Sequence, residues 1–178
     1  GNQFASLDLS NNTALTELFC SSNQLTYLDL SNNPVLTSVI CDINKLTSLD
    51  VSNNTALTKL SCGANQLTSL DVSNNTALIE LSCSDNQLTS LDLSNNTALD
   101  TLWCYDNQLT SLDLSNNVAL TTVVFYENTY EITLTDNTFD LSTLPMDFDV
   151  TKASEWTNGT VDGNILTVED ITKEVTYK

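Results

Sequence analysis

The chain has 178 residues and a formal net charge of −18, from 23 acidic and 5 basic residues, with no Arg and no His. A field of that sign repels nucleic acid and anionic membrane surfaces, both of which need Lys or Arg to neutralise phosphate. The missing His removes the commonest general base and transition-metal ligand, and no apolar run reaches the ~18–20 residues of a membrane span.

Gly1-Asn2-Gln3 opens the chain with the Asn-Gln pair that closes four of the six later repeats, so the chain reads as cut from a longer protein, with Gly1 a cloning remnant. From Phe4 to Thr129 the sequence repeats every 21 residues, six times over, with Cys20, Cys41, Cys62, Cys83 and Cys104 keeping the beat. Self-similarity at a fixed period of this length specifies a stack of like coils, none of which can stand alone.

Seven columns stay apolar through the repeats and are expected to form inner ladders. They begin at Phe4, Leu7, Leu9, Ala14, Leu15, Leu18 and Cys20, and the Cys column ends in Phe125. A hydrophobe in that last place implies that the site needs packing rather than sulfur chemistry. In-register neighbours ~4.8 Å apart also hold the thiols too far apart for an unstrained bridge. Two Asn columns, one running from Asn12 to Asn117 after a Leu-Asp-Leu strand and one from Asn23 to Asn128 after the Cys strand, are expected to turn inward. There a buried amide satisfies backbone groups that a tight bend leaves without strand partners.

Alternation along the Cys strand puts Leu18 and Cys20 inside and Glu17, Phe19 and Ser21 outside. These outward columns are where the coils differ, whereas Asp8, Asp29, Asp50, Asp71, Asp92 and Asp113 hardly let the other side change. Stacked carboxylates of that kind must be solvated, hydrogen-bonded or bridged by cations, and they lack the clustered ligands of a dedicated calcium loop. On the variable face the middle coils carry Ser61, Gly63, Ser82 and Ser84, while Trp103, Tyr105, Val124 and Tyr126 cluster near the C-terminal end beside Asp106 and Glu127. Clustered exposed Trp and Tyr suit a protein contact or a sugar-stacking platform; the bland reading is that they pack under the tail. Phe19 and Ile40 make a smaller apolar patch at the other end.

After Asn128 the phase is lost. Residues 130–178 read as a β-rich cap: a strand at Tyr130–Leu134, a break at Pro145, a helical turn at Ala153–Trp156, a hairpin around Asp162-Gly163 and a last strand at Glu174–Tyr177. Trp156 is the expected anchor of this cap on the sixth coil. Nothing in the chain pairs a nucleophile with a base, cradles phosphate or clusters metal ligands, so no enzyme, cofactor or metal is expected.

The spacing Leu15-x-x-Leu18-x-Cys20-x-x-Asn23-x-Leu25 resembles the leucine-rich repeat signature. With Cys at the third apolar place and NQLTSLDLSNNTA following, it is similar to the cysteine-ladder repeats of internalin-like bacterial surface proteins. That resemblance implies a right-handed superhelix over residues 1–129, with a parallel β-sheet on the concave face and an extended or 3-10 convex side. It also implies a secreted or cell-wall-attached module that binds on its concave face. With the charge, the hydropathy and the aromatic cluster, the expectation is a monomeric, non-catalytic module for a protein or glycan partner, with no nucleic acid partner and no membrane insertion. A structural spacer holding other domains off the cell wall is the alternative.

Overall fold

The computed structural model describes residues 2–125, 128, 137–141 and 158–169. They fall into two compact units, Gly1–Tyr130 and Glu131–Lys178.

In the first unit each coil contributes one three-residue strand: β1 Glu17–Phe19, β2 Ser38–Ile40, β3 Lys59–Ser61, β4 Glu80–Ser82, β5 Thr101–Trp103 and β6 Thr122–Val124. The six form a parallel sheet in sequence order, and every residue pairs with the one 21 places on, as Leu60 does with Leu81. A slip of one residue would turn the buried Leu column to solvent, so the inner column pins the register. Inter-coil bonding continues past the strands: the Cys62 N–H donates to the Ser82 carbonyl at 2.8 Å and the Ala64 N–H to that of Ser84 at 3.0 Å.

Behind the sheet lies one core running from Leu9 to Leu114, in which the central Leu and Cys residues are essentially sealed. The five cysteines are free and buried. Burial pushes every thiol up, Cys20 to about 11 and Cys104 to about 12, with the three between them well above the ordinary value. Their sulfur therefore packs as a small hydrophobe and stays protonated at neutral pH.

Two of the expected inner features differ. The Ala column points outward: Ala14, Ala56, Ala77, Ala98 and Ala119 are exposed, as is Val35 at 45%. The reason is a β-turn closed by the Leu36 N–H on the Asn33 carbonyl at 3.2 Å, whose central residues, Pro34 and Val35, face solvent. Pro34 occupies the place in that turn where its fixed φ fits. The Leu-Asp-Leu segment, expected as a second strand, is irregular in each described coil. Its Asp instead accepts the N–H of the Ser two residues on, at 2.9–3.0 Å in all six coils. An Asp that bonds its own backbone in this way starts a turn rather than a ladder. Phe4, the first rung of its column, is 57% exposed because a coil covers it on one side only.

Those Ser contacts hold the six exposed carboxyls below the usual carboxylate value. The N–H bond is the larger cause for Asp8, Asp92 and Asp113, the hydroxyl bond for Asp29, Asp50 and Asp71. A lowered folded pKa means that the contribution is present above the unfolded value and lost as pH falls through the folded one.

Both Asn columns are inner ladders. Asn54 donates through Nδ2 to the Leu30 carbonyl at 3.1 Å and the Asn33 carbonyl at 2.9 Å. Its Oδ1, like those of Asn33, Asn75, Asn96 and Asn117, is buried without a hydrogen-bond partner among the described residues. Asn65 uses both ends: Nδ2 donates to the carbonyls of Cys41, Cys62 and Gly63, and Oδ1 accepts the Leu46 N–H at 3.0 Å. The bend just before this column needs a left-handed residue in each of the first five coils, namely Ser22, Ile43, Ala64, Asp85 and Asp106, at φ 51–58°.

The second unit holds a three-stranded antiparallel sheet, ordered β7 Thr138–Asp140, β9 Ile165–Val168, β8 Gly159–Asp162. The hairpin around Asp162-Gly163 is present: β8 and β9 pair antiparallel across a two-residue loop whose first residue, Gly163, has φ 59°. A positive φ there matches the twist of the flanking strands and suits Gly. Leu141, Leu166 and Val168 are its buried hydrophobic residues among those described. The expected strands at Tyr130–Leu134 and Glu174–Tyr177, the break at Pro145 and the turn at Ala153–Trp156 lie outside the described residues. The strand at Thr138–Asp140 has no counterpart in the reading of the sequence.

Candidate binding face

The outward side of the six-stranded sheet carries the columns that vary. β5 sets Trp103 in register between Ser82 of β4 and Val124 of β6. Trp103, Tyr105, Asp106 and Val124 are half-buried, while Leu102 and Cys104, which alternate with them, are fully buried and anchor the strand from behind. A small Ser on the β4 side leaves one flank of the indole without a bulky neighbour in register. Tyr126 and Glu127, the other two residues assigned to this cluster, lie outside the described residues.

Acidic groups bracket the aromatic pair. Asp100 at the entry to β5 accepts hydroxyl bonds from Thr101 at 3.2 Å and Thr121 at 2.9 Å. The Asp85 N–H donates to the Tyr105 carbonyl at 3.0 Å and the Asn86 N–H to that of Asp106 at 3.1 Å, which sets Asp106 beside Asp85 of the coil before. Asp85 is pushed above the ordinary value first by desolvation, then by the charge of Asp106 and a hydrogen bond with it. From Gln66 to Asn128 the chain contains no Lys. Lys59 pairs with Glu80 across two strands, both side chains remaining well exposed, and such a pair contributes little to stability.

The middle of the face is closed on itself. Asp42 accepts the Ser61 hydroxyl at 2.6 Å and the Gly63 N–H at 2.8 Å through Oδ1, and the Ser21 hydroxyl at 3.4 Å through Oδ2. A Cβ on residue 63 would stand 3.2 Å from that Oδ1 and 3.3 Å from the Ser84 carbonyl oxygen. Glycine thus lets the carboxylate reach the backbone. Ser84, expected outward and bland, is 2% exposed. Sequence reasoning missed this knot; the signal was Gly63, the only glycine between Phe4 and Asn128. At the other end Phe19 is 64% exposed, Ile40 half-buried and Ile43 58% exposed.

On the invariant side a shallow groove is lined by Ser90, Leu91, Asp92, Ser94, Ser111, Asp113 and Asn116. Nearly all its walls recur in every coil, so it carries no identity of its own. Among the described residues no group of three or more His, Cys, Asp or Glu could hold a metal ion, and no helix is long and apolar enough to cross a membrane.

No protein-family model matches the chain, and no curated protein matches it. Solved structures do. The functional domain of InlJ from Listeria monocytogenes, which includes a cysteine ladder, is 43% identical over 74% of this chain and 34% of its own, with a TM-score of 0.59. An internalin, InlF, from the same species is 28% identical over 70% of this chain and 40% of its own, with a TM-score of 0.61. A leucine-rich repeat protein of Leptospira interrogans, at 23% identity, shares the fold over 75% of this chain and 37% of its own with a TM-score of 0.68. This chain therefore spans between a third and two fifths of the length of these three structures.

Proposed function

Given a leucine-rich repeat solenoid of the cysteine-ladder kind, similar to internalin structures, we propose that the chain is a non-catalytic binding module of a bacterial surface or secreted protein. It docks a macromolecular partner on the variable sheet face, at Trp103, Tyr105, Asp106 and Val124, with Tyr126 and Glu127 continuing the same columns. One observation carries this reading: Trp103 and Tyr105 stand half-exposed where the preceding coil has Ser82 and Ser84. A rigid array that only needs to stack has no use for large aromatics there, whereas partly exposed Trp and Tyr are the usual anchors of an interface.

Arrays of purified extracellular proteins and of glycans, probed with the native chain and with Trp103→Ala, test it. A captured ligand should lose about 2 kcal/mol or more of binding in the variant, with the thermal midpoint nearly unchanged. If Trp103→Ala lowers stability by several kcal/mol and leaves every captured ligand bound, the aromatics are packing. The array is then better read as a spacer.

A further inference from the structure

The partner's chemistry follows from the charges around the aromatic pair. An anionic ligand would meet a chain of net charge −18. A neutral one would have to leave Asp85 and Asp106 side by side with no basic side chain in coils from Gln66 onward to offset them. A cationic one offsets both carboxylates and gains a flat π-face in addition, since ammonium and guanidinium groups are drawn to the faces of Trp and Tyr. Trp103, Tyr105 and Asp106 lie within four residues of one strand and its exit, and Asp85 lies one coil spacing of ~4.8 Å away. A single extended peptide can span all four.

We propose that this end of the sheet docks a basic segment of a partner polypeptide, with Arg or Lys side chains stacked on Trp103 and Tyr105 and their charge directed to the Asp85–Asp106 pair. Arginine is favoured, because its planar, weakly hydrated guanidinium stacks on an aromatic ring and still donates to a carboxylate. The proposal rests on the sheet-face reading above and adds to it the chemical class of the partner. The closed knot at Asp42 limits the surface on one side: that carboxylate is already occupied by Ser61, Gly63 and Ser21.

The test uses the full chain, a glycine-spaced tri-arginine peptide, the same peptide with citrulline in place of arginine, and a neutral gluco-oligosaccharide, all followed by calorimetry. The arginine peptide should bind with an affinity that falls as salt rises. Citrulline, which keeps the shape and removes the charge, should weaken binding by roughly tenfold or more, and so should Trp103→Ala. The global field is controlled by charge-matched pairs. Asp85→Asn with Asp106→Asn should weaken binding several-fold more than Asp92→Asn with Asp113→Asn, which removes the same charge from the invariant side.

Equal losses from the two pairs would overturn the proposal, because attraction would then be to the whole acidic molecule. Equal binding of the arginine and citrulline peptides, or preference for the oligosaccharide, would overturn it as well. In that case a loss on Trp103→Ala still upholds the binding face and refutes only its cationic partner. If no probe binds and Trp103→Ala changes nothing on the protein and glycan arrays, both readings fail.

Discussion

The amide ladder behind the sheet predicts a large cost for one small substitution, Asn65→Ala. Asn65 makes four hydrogen bonds: three through Nδ2, to the carbonyls of Cys41, Cys62 and Gly63 at 3.2, 3.0 and 3.1 Å, and one through Oδ1, from the Leu46 N–H at 3.0 Å. The carbonyls do not become orphans, since Cys41 keeps Asn44, Cys62 keeps Asn86 and Gly63 keeps the Ile43 N–H. Leu46 does: among the described residues Asn65 is the one acceptor of its buried N–H. An unmade buried donor costs about 1–3 kcal/mol, and the weakened carbonyl contacts and the void add to it, so the expected loss is about 2–4 kcal/mol. Asn23→Ala is the internal control: the donor its Oδ1 accepts, the Phe4 N–H, is exposed and regains water, and of the two half-buried carbonyls its Nδ2 meets, Cys20 keeps Asn44; it should cost about 1 kcal/mol. Asn65→Asp sharpens the argument. It keeps the acceptor for Leu46 but turns three donated contacts into repulsion between oxygens. The raised carboxyl pKa that results means its deficit is full above that value and shrinks as pH falls through it. Urea unfolding by circular dichroism gives the energies, and hydrogen exchange at the Leu46 amide reports the local bond. Equal costs for Asn65→Ala and Asn23→Ala, or an unchanged Leu46 exchange rate, would refute the reasoning.

Ile43 adopts φ 56°, where a β-branched side chain is strained, and at 58% exposure it buries little; Ile43→Asn should raise stability by about 1 kcal/mol, and a lower thermal midpoint would count against the strain. The thiols give the third expectation. Cys41, Cys62 and Cys83 should resist iodoacetamide at neutral pH until the chain is denatured, and rapid native labelling would show them to be accessible. Because their folded pKa values are raised, that part of the stability is complete below about pH 9 and lost as pH rises, so the urea midpoint should fall in alkali for the native chain and less for a Cys62→Val variant.

What the sequence determined by itself was the period, the side of the Cys strand that faces in, and the two Asn ladders. Strict repetition makes each coil its neighbour's template, so the residue 21 places on must be the partner, as it is from Leu18 to Val123. Alternation then places Leu102 and Cys104 inside and Trp103 outside, because a strand allows only two directions. Bends allow more than two, and there tertiary structure decided. The Ala column is apolar and invariant enough to look buried, yet the turn closed on the Asn33 carbonyl throws its residues outward. The Asp column looks like the exposed half of a second strand, yet its carboxylates bond their own Ser N–H groups and leave no ladder to form. The left-handed column from Ser22 to Asp106 carries no glycine or asparagine to betray it. Asp42 and Gly63 lie on different coils with nothing local linking them; only stacking brings the carboxylate to an amide that glycine leaves open. Periodicity reports which residues are equivalent, but the direction of a side chain at a bend depends on which backbone groups the neighbouring coil has already satisfied.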